Sequence, residues 1–354
     1  MGHRKKVLLF LNAATGGAER VTVTIGKMLP KDQYEAVFVL LGQHGKEIES
    51  FIPNDYRIEH IYFDNIWAGV GFRIFKLLRR ERPFSVFCST MVLSVRVIIA
   101  AKLLGNIRVV IRNDNYFSVL RRDEFLLCKN VFRFADLIIG QQEEMRHDIL
   151  SHVKIAPNKV IALQNPLDKE NIEIKSNAPS PYKEKDAVKY LWVGRFDRTK
   201  GQDVLAKAFV LVSHKNSKAH LYFVGKHADD SFFHEVCQIV KDGGCSDRVH
   251  FIGYDSNPYR WMKHCDCFVL PSRIEGLPNS LIEAQYLGRP AVATTCIPII
   301  SRIVEEGKTG YTVLPENPGA MAEAMLKAST LGTIKSNYQS ADNKCFIRLF
   351  ETNC

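Results

Sequence analysis

No apolar run in this 354-residue chain approaches the roughly 18–20 residues that a bilayer-spanning helix needs. Runs such as Val7–Leu11 and Val97–Ala101 are short and flanked by charged or polar residues. The nine cysteines include no CxxC pair. The one close pair, Cys265-Asp266-Cys267, sits in an apolar strand-like stretch, so reduced and mostly buried thiols of a cytosolic protein are expected rather than a disulfide framework. There is no HExxH, no DxD suited to a metal-bound diphosphate, and no Cys/His cluster at zinc spacing. No RNA-binding signature accompanies the basic residues, and aromatics are not interleaved with them. At 46% hydrophobic and 24% charged residues, disorder and collagen-like fibres are also excluded. The opening MGHRKKVLLFLNAA sets a basic run before an apolar one, as a signal peptide does. The apolar run ends at Leu11, however, and Asn12 opens a glycine loop, so a buried first strand is the better reading.

What is present is an excess of positive charge, 48 Lys+Arg against 38 Asp+Glu. Most of it lies in residues 1–170, which hold 25 basic and 18 acidic residues. An ordinary basic surface, nucleic acid, an anionic membrane and phosphorylated substrates are all compatible with that imbalance.

Short runs of β-branched and leucine residues alternate with helical patterns along the whole chain. In the first half the expected strands are 7–11, 36–41, 57–62, 86–89, 108–111, 137–140 and 160–163. In the second half they are 190–193, 221–224, 249–252, 267–270, 291–293 and 310–313. Apolar strands separated by helices predict parallel sheets covered on both faces. The fold class is therefore α/β, with two doubly wound, Rossmann-like domains. The domains are expected at 1–167 and 187–330, joined by a linker over 168–186 that is rich in Lys, Glu, Asn and Pro. The tail 331–354 is polar until Cys345–Phe350, and packing of it back on the first domain is one expectation.

Open α/β sheets bind ligands beyond the carboxyl ends of their strands. Three loops there carry chemistry. The first is Asn12–Arg20, where Gly16 and Gly17 let backbone amides approach an anion at a helix start. The second, Val193–Gly201, crowds Arg195, Arg198 and Lys200 at a strand mouth, a natural seat for a diphosphate. The third runs Pro271-Ser272-Arg273-Ile274-Glu275-Gly276-Leu277-Pro278-Asn279-Ser280 into a helix that carries Glu283. Glu275 and Glu283, eight positions apart, are placed to accept hydrogen bonds from vicinal hydroxyls, while amides near Leu277–Ser280 meet phosphate.

Glu275 and Glu283 match the E-x7-E motif of retaining nucleotide-sugar glycosyltransferases of the GT-B fold. EGLPNSLIEAQYLGRPAVAT resembles glycosyltransferase family 4 in particular, and VGRFDRTKGQD and the early GGAERV match that family's other signatures in order and spacing. The resemblance spans roughly residues 5–330. It implies that Arg195 and Lys200 hold the donor diphosphate and that Glu283 hydrogen-bonds the ribose. Glu275 would contact the donor sugar, assisted by amides around Gly276, Leu277, Asn279 and Ser280, with Gly16 and Gly17 close to the diphosphate. It further implies a first domain that receives the acceptor and a second that binds the nucleotide, across a cleft. Where many relatives carry a histidine in the first domain, this chain has Ile111-Arg112-Asn113-Asp114-Asn115, which leaves Asn113 and Asp114 as candidates on the acceptor side. Gly225-Lys226-His227 lacks the second glycine of the family's G-x-G, and an exposed loop position is expected for His227.

The expected activity is transfer of a sugar, with retention, from a nucleotide diphosphate (UDP by family frequency) to a saccharide or lipid-linked saccharide. Capsule or O-antigen assembly is the implied setting. No cofactor and no metal are expected, because side-chain cations and helix-start amides neutralise the leaving diphosphate. No nucleic-acid partner is expected. A sugar-nucleotide epimerase of the same fold and a catalytically silent binding subunit are the alternatives. The helix Phe72–Arg82 has a core stripe of Ile74, Leu77 and Leu78. It places Arg73, Lys76 and Arg80 together on another face, which suits peripheral contact with an anionic membrane at the cytoplasmic face as well as it suits plain solvation.

Overall fold

A computed structural model describes residues 4–12, 16–42, 46–63, 69–227, 229–338 and 340–351. The chain divides into two compact units, Met1–Leu167 with Ser340–Cys354, and Asp168–Gln339.

In the first unit the described residues form a parallel sheet of seven strands: β1 (Lys5–Asn12), β2 (Tyr34–Leu41), β3 (Arg57–Ile61), β4 (Ser85–Cys88), β5 (Arg108–Arg112), β6 (Leu137–Gly140) and β7 (Val160–Ala162). Their order is β3-β2-β1-β4-β5-β6-β7. β1 lies inside this sheet, paired with β2 and β4, which is why the apolar run after the basic start is fully buried. Its side chains alternate between two cores. Leu8 and Phe10 join one with the helices Val70–Glu81 and Met91–Leu104, while Val7, Leu9 and Leu11 join the other with the helix Gly17–Met28.

The second unit repeats the plan with β8 (Val188–Val193), β9 (Ala219–Val224), β10 (Val249–Gly253), β11 (Cys267–Leu270), β12 (Ala291–Thr294) and β13 (Gly310–Val313), in the order β10-β9-β8-β11-β12-β13. In each sheet the chain first winds outward to one side and then restarts on the other. The switch points are β1/β4 and β8/β11, and loops leaving the carboxyl ends there are the ones the fold leaves open to a ligand. Every expected strand is present within two residues of its expected ends. Of the eight described cysteines, all free, Cys88, Cys128, Cys245, Cys265 and Cys267 are buried.

Two segments depart from expectation. The stretch 168–186 is not wholly a linker, because Lys169–Ser176 is a helix of the second unit. Asp168 caps it through the Asn171 amide, Ile172 and Ser176 are buried, and the Lys175 carbonyl accepts from Asn257 Nδ2 at 3.0 Å. A polar composition hid a helix whose one buried apolar residue is Ile172. The tail also splits. Ile334 N–H bonds to the Gly288 carbonyl within the second unit, whereas the helix Asn343–Arg348 belongs to the first. There Phe346, Leu349 and Phe350 enter the core beside Val7 and Leu9, and Arg108 Nε donates to the Leu349 carbonyl at 3.1 Å.

Phe350 is fully buried with its ring 6.1 Å from that of Phe87. Phe350→Ala is expected to cost about 3–5 kcal/mol, read from urea unfolding of the intact chain. A loss under about 1 kcal/mol would show that the tail contributes little to this core.

Candidate functional site

The two loops at the β8/β11 switch point are fastened to each other. After β8 a short turn, Arg198–Lys200, is capped by Asp197 and ends at Gly201. Gly201 has φ +69°, and a Cβ there would lie 2.1 Å from the Pro271 carbonyl oxygen, so only glycine lets this turn touch the loop after β11. The Arg273 N–H completes the seam by donating to the Thr199 carbonyl at 2.8 Å.

Arg273 is a residue that the loop composition alone did not single out. Its guanidinium forks onto Asp203, 2.9 and 2.8 Å to the two carboxylate oxygens, and it also donates to Glu316 and to the Arg198 carbonyl. Burial would lift the Asp203 carboxyl, but the Arg273 fork holds it below the ordinary carboxylate range. The only earlier signal was an Arg in a strand-end loop and an Asp at a helix start, 70 residues apart.

The fastened loops bring Lys200 and Glu275 together. Lys200 Nζ donates to Glu275 Oε1 at 2.8 Å, and Ser272 Oγ donates to the same oxygen at 2.7 Å. Glu275 is buried, so its charge is held by this pair of donors. Arg195 is exposed, with Nε on Asp197 Oδ2 at 2.9 Å. Glu283 lies on the buried face of the helix Asn279–Tyr286, where the Tyr259 hydroxyl donates to it at 3.3 Å. Gly276 and Leu277 lead into that helix, and Asn279 and Ser280 form its first turn. Its N-cap is Pro278, which has no N–H of its own. Burial, with Glu275 nearby, pushes the Cys296 thiol up to about 11, so it carries no nucleophilic thiolate at neutral pH. His227 is exposed as expected, 3.2 Å from Asp230.

In the first unit, residues 13–15 of the glycine loop lie outside the described residues. Gly16 is the N-cap of the helix Gly17–Met28, and a Cβ there would lie 2.3 Å from Glu19 Oε2. Glu19 is buried and accepts from Asn12 Nδ2 at 3.3 Å. Asn113 and Asp114 follow β5 in a buried polar network. Arg112 Nε donates to Asn165 Oδ1 at 3.0 Å, and Gln141 Nε2 donates to the Asn113 carbonyl at 2.9 Å. Neither polar atom of the fully buried Asn113 amide has a hydrogen-bond partner among the described residues. Burial raises the carboxyls of both Glu19 and Asp114, with Arg112 opposing, and lowers Arg112 itself to about 10. Arg112, Gln141, Asn165 and Glu19 were not among the expected site residues, because they come from separate strand ends and meet only when the sheet forms.

The basic helix, Val70–Glu81, buries Val70, Ile74, Leu77 and Leu78. Arg80 does not share the outward role expected of it with Arg73 and Lys76. It donates to Glu59 and Glu81, at 2.6 and 2.9 Å, because Glu81 gathers Lys6, Arg57 and Arg80 around one carboxylate. Those three cations outweigh burial and pull Glu81 down to about 2. Exposed apolar residues remain on this helix and its neighbours: Phe72 (61%), Leu103 (72%), Ile99 and Leu126. Among the described residues no helix is long and apolar enough to cross a membrane.

Comparison with known proteins follows the same division. Residues 15–171 match the family model described as Glycosyltransferase Family 4, and residues 187–330 match that described as Glycosyl transferases group 1. The chain is 28% identical over 242 residues to the uncharacterized glycosyltransferase MJ1059 of Methanocaldococcus jannaschii, covering 64% of this chain and 59% of that protein. It thus spans less than two thirds of that relative's length. It is 24% identical over 339 residues to the N-acetylgalactosamine-N,N'-diacetylbacillosaminyl-diphospho-undecaprenol 4-alpha-N-acetylgalactosaminyltransferase of Campylobacter jejuni, covering 91% of this chain and 89% of that one. The crystal structure of Anabaena Alr3699/HepE in complex with UDP and glucose superimposes with a TM-score of 0.79 at 17% identity, over 93% of this chain and 92% of that one. The shared fold is GT-B.

Asp203→Asn is expected to cost about 1–3 kcal/mol at pH 7 by removing the charged partner of Arg273. The folded carboxyl titrates below its unfolded value of about 3.9, so the wild-type advantage is present above that pH and is lost as pH falls through the folded value. Urea unfolding of both proteins from pH 7 to pH 3 checks this, and a gap that does not narrow toward pH 3 would contradict it.

Proposed function

The chain belongs to glycosyltransferase family 4 and is a transferase, and from that premise we propose that it moves a sugar from a UDP-linked donor to a lipid-linked saccharide, with retention of anomeric configuration, in surface polysaccharide assembly. The observation that carries this reading is the Lys200–Glu275 pair at the β8/β11 switch point, with Arg195 exposed on the same loop as Lys200. An ammonium has three donors, so Lys200 can keep Glu275 and still bond a phosphate oxygen. Among the described residues the Arg195 guanidinium pairs with Asp197 alone, which it leaves for a diphosphate that it grips as a fork. Amides at the start of the helix Asn279–Tyr286 add the positive end of its dipole.

These groups lower the barrier by stabilising charge that develops on the departing diphosphate. They supply that charge from the protein, and no metal at the diphosphate is part of the proposed reaction. Glu275, held by Lys200 and Ser272, keeps lone pairs for sugar hydroxyls, and Glu283 takes the ribose hydroxyls. No enzyme nucleophile is assigned. Retention follows from front-face attack, with the departing phosphate accepting the acceptor's proton. In the first unit the Asn113 amide, which has no partner among the described residues, and the raised Asp114 carboxyl, beside Arg112, offer uncharged hydrogen bonding suited to saccharide hydroxyls. UDP as the nucleotide is supported by the Anabaena complex, and a polyprenyl-linked acceptor by the name of the Campylobacter relative. Peripheral contact with anionic lipid is supported by Phe72 standing exposed with Lys76 Nζ over its ring at 4.5 Å, on a helix that also carries Arg73 and Arg79.

A donor screen by mass spectrometry against membrane-extracted lipid-linked saccharides is expected to show a saccharide product from a UDP-sugar. Arg195→Ala and Lys200→Ala are expected to lower kcat/KM by about 10²–10³, and Glu283→Ala to raise the donor KM about tenfold. Wild-type kinetics in all three would sink the site, and sugar-nucleotide isomerisation without an acceptor product would point to an epimerase instead. In liposome sedimentation the protein is expected to prefer anionic over neutral vesicles. Equal binding to both would remove the membrane from the proposal.

A further inference from the structure

The sheet of the second unit carries a second polar cluster, at the opposite end of its strands from the donor loops. His220 is the second residue of β9 and His250 the second of β10, and the parallel register sets His250 beside Tyr222. Strand side chains alternate, so His220, Tyr222 and His250 share one face of the sheet. Leu221 and Phe223 point into the core on the other. Glu184, in the irregular segment before β8, reaches the same spot.

We propose that Glu184, His220 and His250 form a binding site for one divalent transition-metal ion of the zinc class. Their ligating atoms, one carboxylate oxygen and one nitrogen from each ring, all lie within 4.8 Å of one another. His220 Nδ1 and His250 Nε2 face each other at 3.0 Å, with ring planes only 8° apart. In a tetrahedral site with Zn–N bonds of about 2.0–2.1 Å the ligand atoms stand roughly 3.3 Å apart, so the two nitrogens need to separate by only a few tenths of an ångström while both rings turn and the Glu184 carboxylate closes toward the shared ion. Two imidazoles and a carboxylate are a ligand set that zinc accepts, with a fourth position for water. All three side chains are half-buried, so an ion can enter and is still partly sheltered from solvent.

The surroundings suit that role. Burial lowers both histidines, which favours the neutral, ligating form at pH 7. The Tyr222 hydroxyl donates to Glu184 Oε2 and orients the carboxylate as an outer-shell partner, leaving the other oxygen for the ion. The Tyr222 ring lies 4.4 Å from that of His250 and is packed by Tyr182 and Trp261, which fixes the imidazole plane. Lys183, Lys189 and Arg248 oppose a cation there, while Asp247 adds to the negative charge of Glu184. A bound ion would tie the segment before β8 to the strand edge, a structural function separate from sugar transfer.

The test uses the full chain, stripped with EDTA and titrated calorimetrically with Zn²⁺. One equivalent is expected to bind with Kd on the order of micromolar or tighter, and to raise the melting temperature by linkage. Glu184→Gln, His220→Ala and His250→Ala are each expected to weaken binding at least tenfold, and Tyr222→Phe about tenfold. No binding by the wild type overturns the proposal. So does binding that is unchanged in the folded variants, which would place the ion elsewhere among the 11 histidines. Should the alanine variants fail to fold, Co²⁺ on the wild type decides. The intense visible bands of a four-coordinate site support it, and a weak six-coordinate spectrum overturns it.

Discussion

Arg273 and Asp203 join the loop after β11 to the helix start after β8, which an open sheet does not of itself oblige to meet. At a switch point the chain leaves neighbouring strands toward opposite faces, and the gap so formed is useful only if its rims are held. Here one rim is held by the guanidinium fork, by the bond from the Arg273 amide to the Thr199 carbonyl, and by Gly201 lying against Pro271. The Lys200–Glu275 contact is a consequence of that seam. Both partners sit on loops whose separation the Arg273–Asp203 pair sets, and a misplacement of about 1 Å at such a site is costly to catalysis.

The strand-end loops of the two units handle buried polarity in opposite ways. In the β8 and β11 loops of the second unit three carboxylates are matched with cations: Asp203 with Arg273, Glu275 with Lys200, Asp197 with Arg195. An anionic ligand can enter by sharing cations already in place, without moving bare charge out of water. In the first, burial raises Glu19 and Asp114 and lowers Arg112, and the Asn113 amide has no partner among the described residues. That is an environment for neutral hydrogen bonding, matched to hydroxyl groups more than to phosphate. The unequal charge of the two halves therefore tells less about chemistry than where the charges are paired, as Arg80 illustrates by turning to Glu81 and Glu59.

Much of the fold was legible along the chain because a strand buried on both faces must be apolar at successive positions. Runs such as Val7–Leu11 and Cys267–Leu270 are nearly unambiguous for that reason. The helix Lys169–Ser176 was not legible, since only Ile172 and Ser176 are buried in it and its polar remainder reads as a linker. The tail helix hid for a related reason, because Phe346, Leu349 and Phe350 signal one apolar face too briefly to be weighed without knowing which core receives it.

By itself the sequence determined the alternation, the two domains, and the glycine, basic and acidic residues of the strand-end loops, since these rest on periodicity and on chemistry confined to short spans. Only the tertiary structure decided which of them meet. Arg273 finds Asp203 across 70 residues, Arg112 finds Asn165 across 53, and His220 finds His250 across 30. Parallel pairing makes neighbours of strands that are separated by whole crossover helices, so contacts between their ends depend on strand order and register, which no local spacing records.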